Sequence, residues 1–304
     1  MEILFFCIEK IKANHPAYIL DKTFHNDINK IKTLIQLKTF IKNYNDPHFG
    51  LLLNNTKSLK NDKNNKNNKS IMKLSSEYEF IHIPSFDNAR FNKQHILEWC
   101  RKQRNITSNK PLIIDIRYNS GGNSYNAELV IKALYGLKMY KWVNYQINKN
   151  VKILWRNSID NRSRIKNDYG WINLYQNMKK NPNDIYIQNL EFIDINEKPK
   201  NILKHRQIFV FIDNSNISAA LDFLDMIKII NHAKLVGNET TGFDTNYMDI
   251  NRFNLSQNMG LLWIPMKYYD GRIRKSGDYY KPDISITNFL HQFPSFNQPE
   301  KKFV

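Results

Sequence analysis

The chain has 304 residues, 13% of them aromatic, and a formal net charge of +17. Its length and aromatic content exclude a disordered chain, and its two cysteines, Cys7 and Cys100, exclude a disulfide framework and are expected to be buried free thiols. No apolar run reaches the ~18 residues of a membrane span, and the basic residues are spread along an Asn-, Lys- and Ile-rich chain rather than gathered in one motif, which argues against a nucleic-acid partner.

The first residues, MEILFFCIEKIKANHP, lack a basic start and a small-residue cleavage site, so they read as a helix rather than a signal peptide. A cytoplasmic protein, or one exported with its signal absent from this chain, both fit. Apolar residues at helical spacing run from Leu4 to Tyr44 and are interrupted at Pro16. The helical run ends at Asn45-Asp46-Pro47-His48-Phe49-Gly50, where Asp-Pro imposes a turn and places His48 on a loop. Residues 54–70 are low-complexity Asn and Lys, expected as a surface loop.

Tyr78 to Ile83 alternates as a strand, and Phe91 to Arg104 reads as a helix. Leu112 to Arg117 (LIIDIR) is a dense apolar run of the buried parallel-strand type, followed by Gly121-Gly122 and a helix from Ser124. Paired glycines allow positive φ and bring backbone N–H groups close to a ligand, but no nucleotide-loop motif is present. Residues 140–203 are the hardest to read. They hold strand candidates at Trp142–Ile147 and Ile185–Ile187 and a polar helix-like stretch from Ser158 to Lys180.

Gln207 to Phe243 carries the richest signal: a buried strand over Ile208–Ile212, a polar turn, Ser218 at the start of an amphipathic helix, and a second strand from Lys234 to Gly237. A Ser so placed is either a helix N-cap or a nucleophile beside free N–H groups. Met248–Leu255 and Leu261–Tyr268 read as a hairpin turning at Ser256–Gly260. Alternating strands and helices predict an α/β domain behind a helical N-terminal layer. The expected organisation is a helical subdomain over 1–50, a low-complexity Asn/Lys loop over 51–77, a core over 78–290 with an insertion at about 140–203, and a tail over 291–304.

NDPHFG, LIIDIRYNSGGN and FVFIDNSNISAALDF…KLVGNETTG follow one another in this order. Together with Pro282-Asp283-Ile284, which is similar to a closing strand, they resemble the C-terminal-processing (tail-specific) and tricorn core serine peptidases. The resemblance runs from about residue 3 to 287 and implies a ClpP/crotonase-like spiral core. It makes Ser218 the nucleophile and assigns the oxyanion hole to the N–H of Ala219 with one from Gly121 or Gly122. The tail-specific branch has a lysine base where this chain has Phe243, so the resemblance is closer to the tricorn-like branch, with His48 as general base. That branch also has a glutamate where this chain has Ser276. Asp278 and Glu239 are the two carboxylates left open as the group behind His48. The space before the Gly-Gly strand is too short for a PDZ domain.

The expected activity is therefore hydrolysis of peptide bonds in a peptide or protein substrate, through an acyl-enzyme on Ser218. No cofactor is expected, and the histidines show no metal-ligand spacing. The alternative is a weak or inactive relative that binds peptides. Oligomeric state stays open.

Overall fold

The computed structural model describes residues 2–54, 71–106, 108–192, 195, 197–230, 233–243 and 246–296. Most of the Asn/Lys stretch read as a surface loop, and the end of the tail, lie outside these residues.

The described chain forms two compact units, each assembled from three stretches. The first takes the described residues of Met1–Asn61, Asn150–Glu191 and Phe243–Gly277, and the second those of Asp62–Lys149, Phe192–Gly242 and Asp278–Val304.

The chain opens with α1 (Glu2–Asn14), α2 (Ala17–Leu20), α3 (Lys22–Lys30) and α4 (Leu34–Tyr44), the helical layer expected from the spacing. Local chemistry fixes the helix starts. Asp21 Oδ1 accepts from the N–H groups of Thr23 and Phe24 to cap α3, and Thr33 with Gln36 forms a capping box on α4. Strand β1 (Gly50–Leu53) follows, then β2 (Ile71–Leu74) and β3 (Glu79–His82). Next come α5 (Lys93–Asn105), β4 (Leu112–Asp115), α6 (Ser124–Tyr135) and α7 (Leu137–Asn148). The middle of the chain gives β5 (Lys152–Arg156), α8 (Ile159–Arg164), a π-helical turn over Ile165–Tyr169, α9 (Ile172–Lys180) and β6 (Ile185–Asn189). It continues with β7 (Ile208–Ile212), α10 (Ala219–Ile230) and β8 (Ala233–Gly237), the hairpin β9 (Tyr247–Asn254) and β10 (Gly260–Asp270), and α11 (Ile286–Gln292).

In the first unit, β10 pairs antiparallel with β1, β5 and β9, and β6 pairs with β5. The helical layer shares one apolar core with this sheet, in which Cys7, Ile11, Phe24, Ile28 and Leu37 meet Phe49, Leu262 and Ile264. In the second unit the order is β2-β3-β4-β7-β8. All neighbours there are parallel except β2, which runs antiparallel to β3. Alternate side chains of a strand leave opposite faces, and the central strands follow that rule. Ile208, Val210 and Ile212 of β7 join Ile114 and the helices α5, α6 and α10 on one face. Phe209, Phe211 and Ile113 pack with Tyr78, Phe80, Phe289 and Phe296 on the other. A strand buried on both faces reads as an unbroken apolar run, which is why LIID and IFVFI are recognisable.

Two expectations are corrected. Trp142–Ile147 is not a strand but part of α7, which buries Met139 and Val143 and packs Trp142 and Ile147 against the core at helical spacing. Pro282-Asp283-Ile284 forms a single bridge between Ile284 and Val236 rather than a strand. Strand β5 carries no period strong enough to find it; β10 and β6 supply its pairing from either side.

Candidate active site

Strand β7 delivers the chain to a turn in which Asn216 Oδ1 accepts from the Asp213 N–H at 3.0 Å and Asp213 Oδ1 accepts from the Ser215 N–H at 3.0 Å. Burial raises the Asp213 pKa above the usual carboxylate range, against the pull of N–H bonds from Ser215 and Tyr118. Ser218 follows, half-buried, with φ of +54°. Its carbonyl accepts from the N–H groups of Leu221 and Asp222, so it sits where a helix N-cap sits. An ordinary N-cap lies in the β region, however, and Ser218 is left-handed. The Ala219 N–H, at the first position of α10, has no acceptor among the described residues.

The second turn comes from β4. Arg117 donates twice to Asp115, from Nε to Oδ1 at 2.9 Å and from Nη2 to Oδ2 at 2.7 Å. Burial works to raise the Asp115 pKa, but the bonds from Arg117 and His82 outweigh it and hold the carboxyl below its usual range. Gly121 has φ of +91°, and a Cβ there would lie 2.8 Å from both the Ile217 carbonyl oxygen and Ser218 Cβ. The turn is thus pressed directly against Ser218. A Cβ on Gly122 would lie 2.2 Å from the Asp87 nitrogen, so both positions require glycine.

The two glycines are not equivalent as donors. The Gly121 N–H is donated to Asn119 Oδ1 at 2.8 Å. The Gly121 carbonyl accepts from the Phe86 N–H at 2.9 Å. In a trans peptide the C=O and N–H point in opposite directions, so the Gly122 N–H is turned away from Phe86. It has no acceptor among the described residues.

His48 belongs to the first unit. Helix α4 ends on Asn45 in the left-handed conformation, and the chain turns through Asp46 and Pro47. The Trp263 indole N–H donates to the Pro47 carbonyl at 3.2 Å and clamps this turn. Asp46 Oδ1 accepts from the His48 N–H at 2.8 Å and lies 3.1 Å from His48 Nδ1. The Asp46 side chain is fully buried and that of His48 is 10% exposed. With Nδ1–H donated to the carboxylate, Nε2 is the basic nitrogen of the neutral ring. Asp46 is the functional candidate that the sequence reading passed over, although it lies only two residues before His48.

Of the other predicted positions, Ser218, Ala219, Gly121 and Gly122 converge within the second unit. Glu239, in the turn after β8, and Asp278 are exposed and also belong to the second unit. Among the described residues no group of three His, Cys, Asp or Glu side chains is placed to hold a metal ion. No described helix is long and apolar enough to cross a membrane.

No curated protein sequence matches the chain. Among solved structures, a lipoprotein from Streptococcus agalactiae is 14% identical over 97% of this chain and 94% of its own, with a TM-score of 0.45. A candidate peptidase from Parabacteroides merdae is 12% identical over 94% of this chain and 89% of its own, with a TM-score of 0.50, a likeness of fold. The tricorn protease is 16% identical over 74% of this chain and 17% of its own, with a TM-score of 0.36. The family model of peptidase family S41 matches residues 78–286, a span that takes in β3, the Gly-Gly turn, Ser218 and the β9–β10 hairpin. With well over half of its length matched, the chain belongs to peptidase family S41, a family of serine peptidases.

Proposed function

We propose that the protein cleaves peptide bonds by an acyl-enzyme mechanism on Ser218, with His48 as general base and Asp46 as the group that orients it. Ser218 Oγ attacks the scissile carbonyl while His48 Nε2 takes the hydroxyl proton. The oxyanion is held by the Ala219 and Gly122 N–H groups, two backbone donors with no competing acceptor among the described residues. His48 then returns the proton to the leaving amine, and a water activated by the same ring releases the acyl group. Asp46 fills the role that the sequence left open between Asp278 and Glu239, because its carboxylate already bonds His48 Nδ1.

The observation that carries this reading is the contact of Gly121 with the Ser218 turn, which sets the hydroxyl-bearing residue beside those donors. The pairing of Ser218 with His48, which belong to different units, rests on the order of the motifs. The test is labelling by a fluorophosphonate probe. It should modify Ser218 in the wild-type protein and be lost in Ser218→Ala and in His48→Ala. Phe243 stands where the resemblance to the tail-specific branch implies a lysine, and Ser276 where the resemblance to the tricorn-like branch implies a glutamate; they motivate the second reading, a peptide-binding protein without catalysis. Peptide binding without any labelling would select it.

A further inference from the structure

The distance between Ser218 and the Gly122 donor is set by two segments about a hundred residues apart in sequence. The parallel ladder of β4 and β7 joins them only up to the pair Asp115 and Phe211, with a final bond from the Ile116 N–H to the Phe211 carbonyl at 3.0 Å. Beyond that point β7 runs on only to Ile212, beside Gly237 of β8, and backbone pairing no longer holds the β4 and β7 segments to each other. Side chains take over where the ladder stops.

Asn216 is fully buried, and both polar atoms of its side chain are hydrogen-bonded. Oδ1 accepts from the Asp213 N–H within its own turn at 3.0 Å. Nδ2 donates across the gap to the Ile116 carbonyl at 2.6 Å and to the Asn119 carbonyl at 3.2 Å. Asn119, also fully buried, carries the link onward. Its Nδ2 donates to the Ile83 carbonyl at 2.9 Å, and its Oδ1 takes the Gly121 N–H. That last bond fixes the glycine turn and leaves the Gly122 N–H as its remaining donor. One side chain thus binds the nucleophile turn at one end and the donor turn at the other.

We propose that Asn216 is a positioning residue for the acylation step, setting Ser218 against the oxyanion donors without touching substrate. This deepens the serine-peptidase reading and rests on it. A shift of about 1 Å in such an arrangement costs on the order of a hundredfold in rate. Loss of Asn216 should therefore lower the rate per folded molecule rather than the number of folded molecules.

The experiment compares wild type, Asn216→Ala and Asn216→Asp by the time course of fluorophosphonate labelling, with the modified residue mapped by peptide mass. The labelling rate constant of Asn216→Ala should fall by about 10- to 100-fold, while the final labelled fraction stays at the wild-type level. Asn216→Asp keeps the acceptor but loses both donors while ionised. Its deficit relative to wild type should shrink as pH falls, because the protonated carboxyl regains one donor. Wild-type rates in both variants would overturn the inference. So would a slower reaction whose labelled end-point falls in step with the folded fraction, which is the mark of a merely structural residue. If the wild-type protein is not labelled at Ser218, the peptidase reading fails and takes this inference with it. If wild type is labelled and the variants match it, only this inference fails.

Discussion

Asp46 and His48 show how short a segment can seat an imidazole on a carboxylate. Pro47 between them prevents a helical continuation, and a single carboxylate oxygen then takes both the backbone N–H of His48 and its ring Nδ1. The geometry is local, so it was available from the sequence to a reader who asked what Asp-Pro-His must do. The resemblance points instead to carboxylates far along the chain, Glu239 and Asp278. On its residues alone Ser218 stayed open between N-cap and nucleophile, whereas the two glycines were legible for a different reason. Their environment demands a particular backbone, and Gly-Gly between a buried strand and a helix admits few other readings. Asp46→Asn tests the local pair. An amide of the same shape can turn its NH₂ toward the ring and favour the other tautomer, so kcat should fall by about a hundredfold or more with KM little changed. Steady-state kinetics on a cleaved peptide, with a melting curve as control, measures this.

Among the elements, the helical layer was the easiest to read and α7 the hardest. Val143, Tyr145 and Ile147 alternate with polar residues as a strand would. What decides for helix is Met139 and Val143, four residues apart and both buried against the core, and that contact is invisible to a local pattern. The layer also has one unusual component. His15, at the junction of α1 and α2, is fully buried among the rings of Phe24, Phe49 and Tyr247, with centroids 4.5, 4.8 and 5.1 Å away. Its Nδ1 accepts from the Ala17 N–H at 3.1 Å. Burial pushes its pKa down to about 3 from the usual 6.5. Between those values the unfolded chain binds a proton that the folded chain refuses. Stability therefore declines as pH falls through this window, by up to about 1.4 kcal/mol per pH unit. Urea unfolding at pH 7, 5 and 4 should show the decline, and it should be shallower by about one proton in His15→Phe.

On the scale of the whole molecule, neither unit is encoded by one continuous stretch. A reading in chain order therefore sees an insertion where the structure has a unit gathered from three places. The formal net charge of the chain is +17. Part of the basic complement serves inside the units, as Arg117 does on Asp115, Arg206 beside Glu79 and Lys267 on Asp249, all three cations being buried.

The left-handed φ of Ser218 has a further consequence for the stability of the protein as a whole. A residue with a Cβ is held there against its own preference by about 1–2 kcal/mol, and only glycine escapes that penalty. Ser218→Ala and Ser218→Gly both remove the hydroxyl, so the difference between them isolates the backbone. The glycine protein should be the more stable of the two by about 1 kcal/mol in equilibrium unfolding. Equal stabilities would mean that the turn carries no such tension. A sequence optimised for folding alone would drift toward glycine at position 218, and the serine marks a place where the chain gives up some durability to keep a hydroxyl in place.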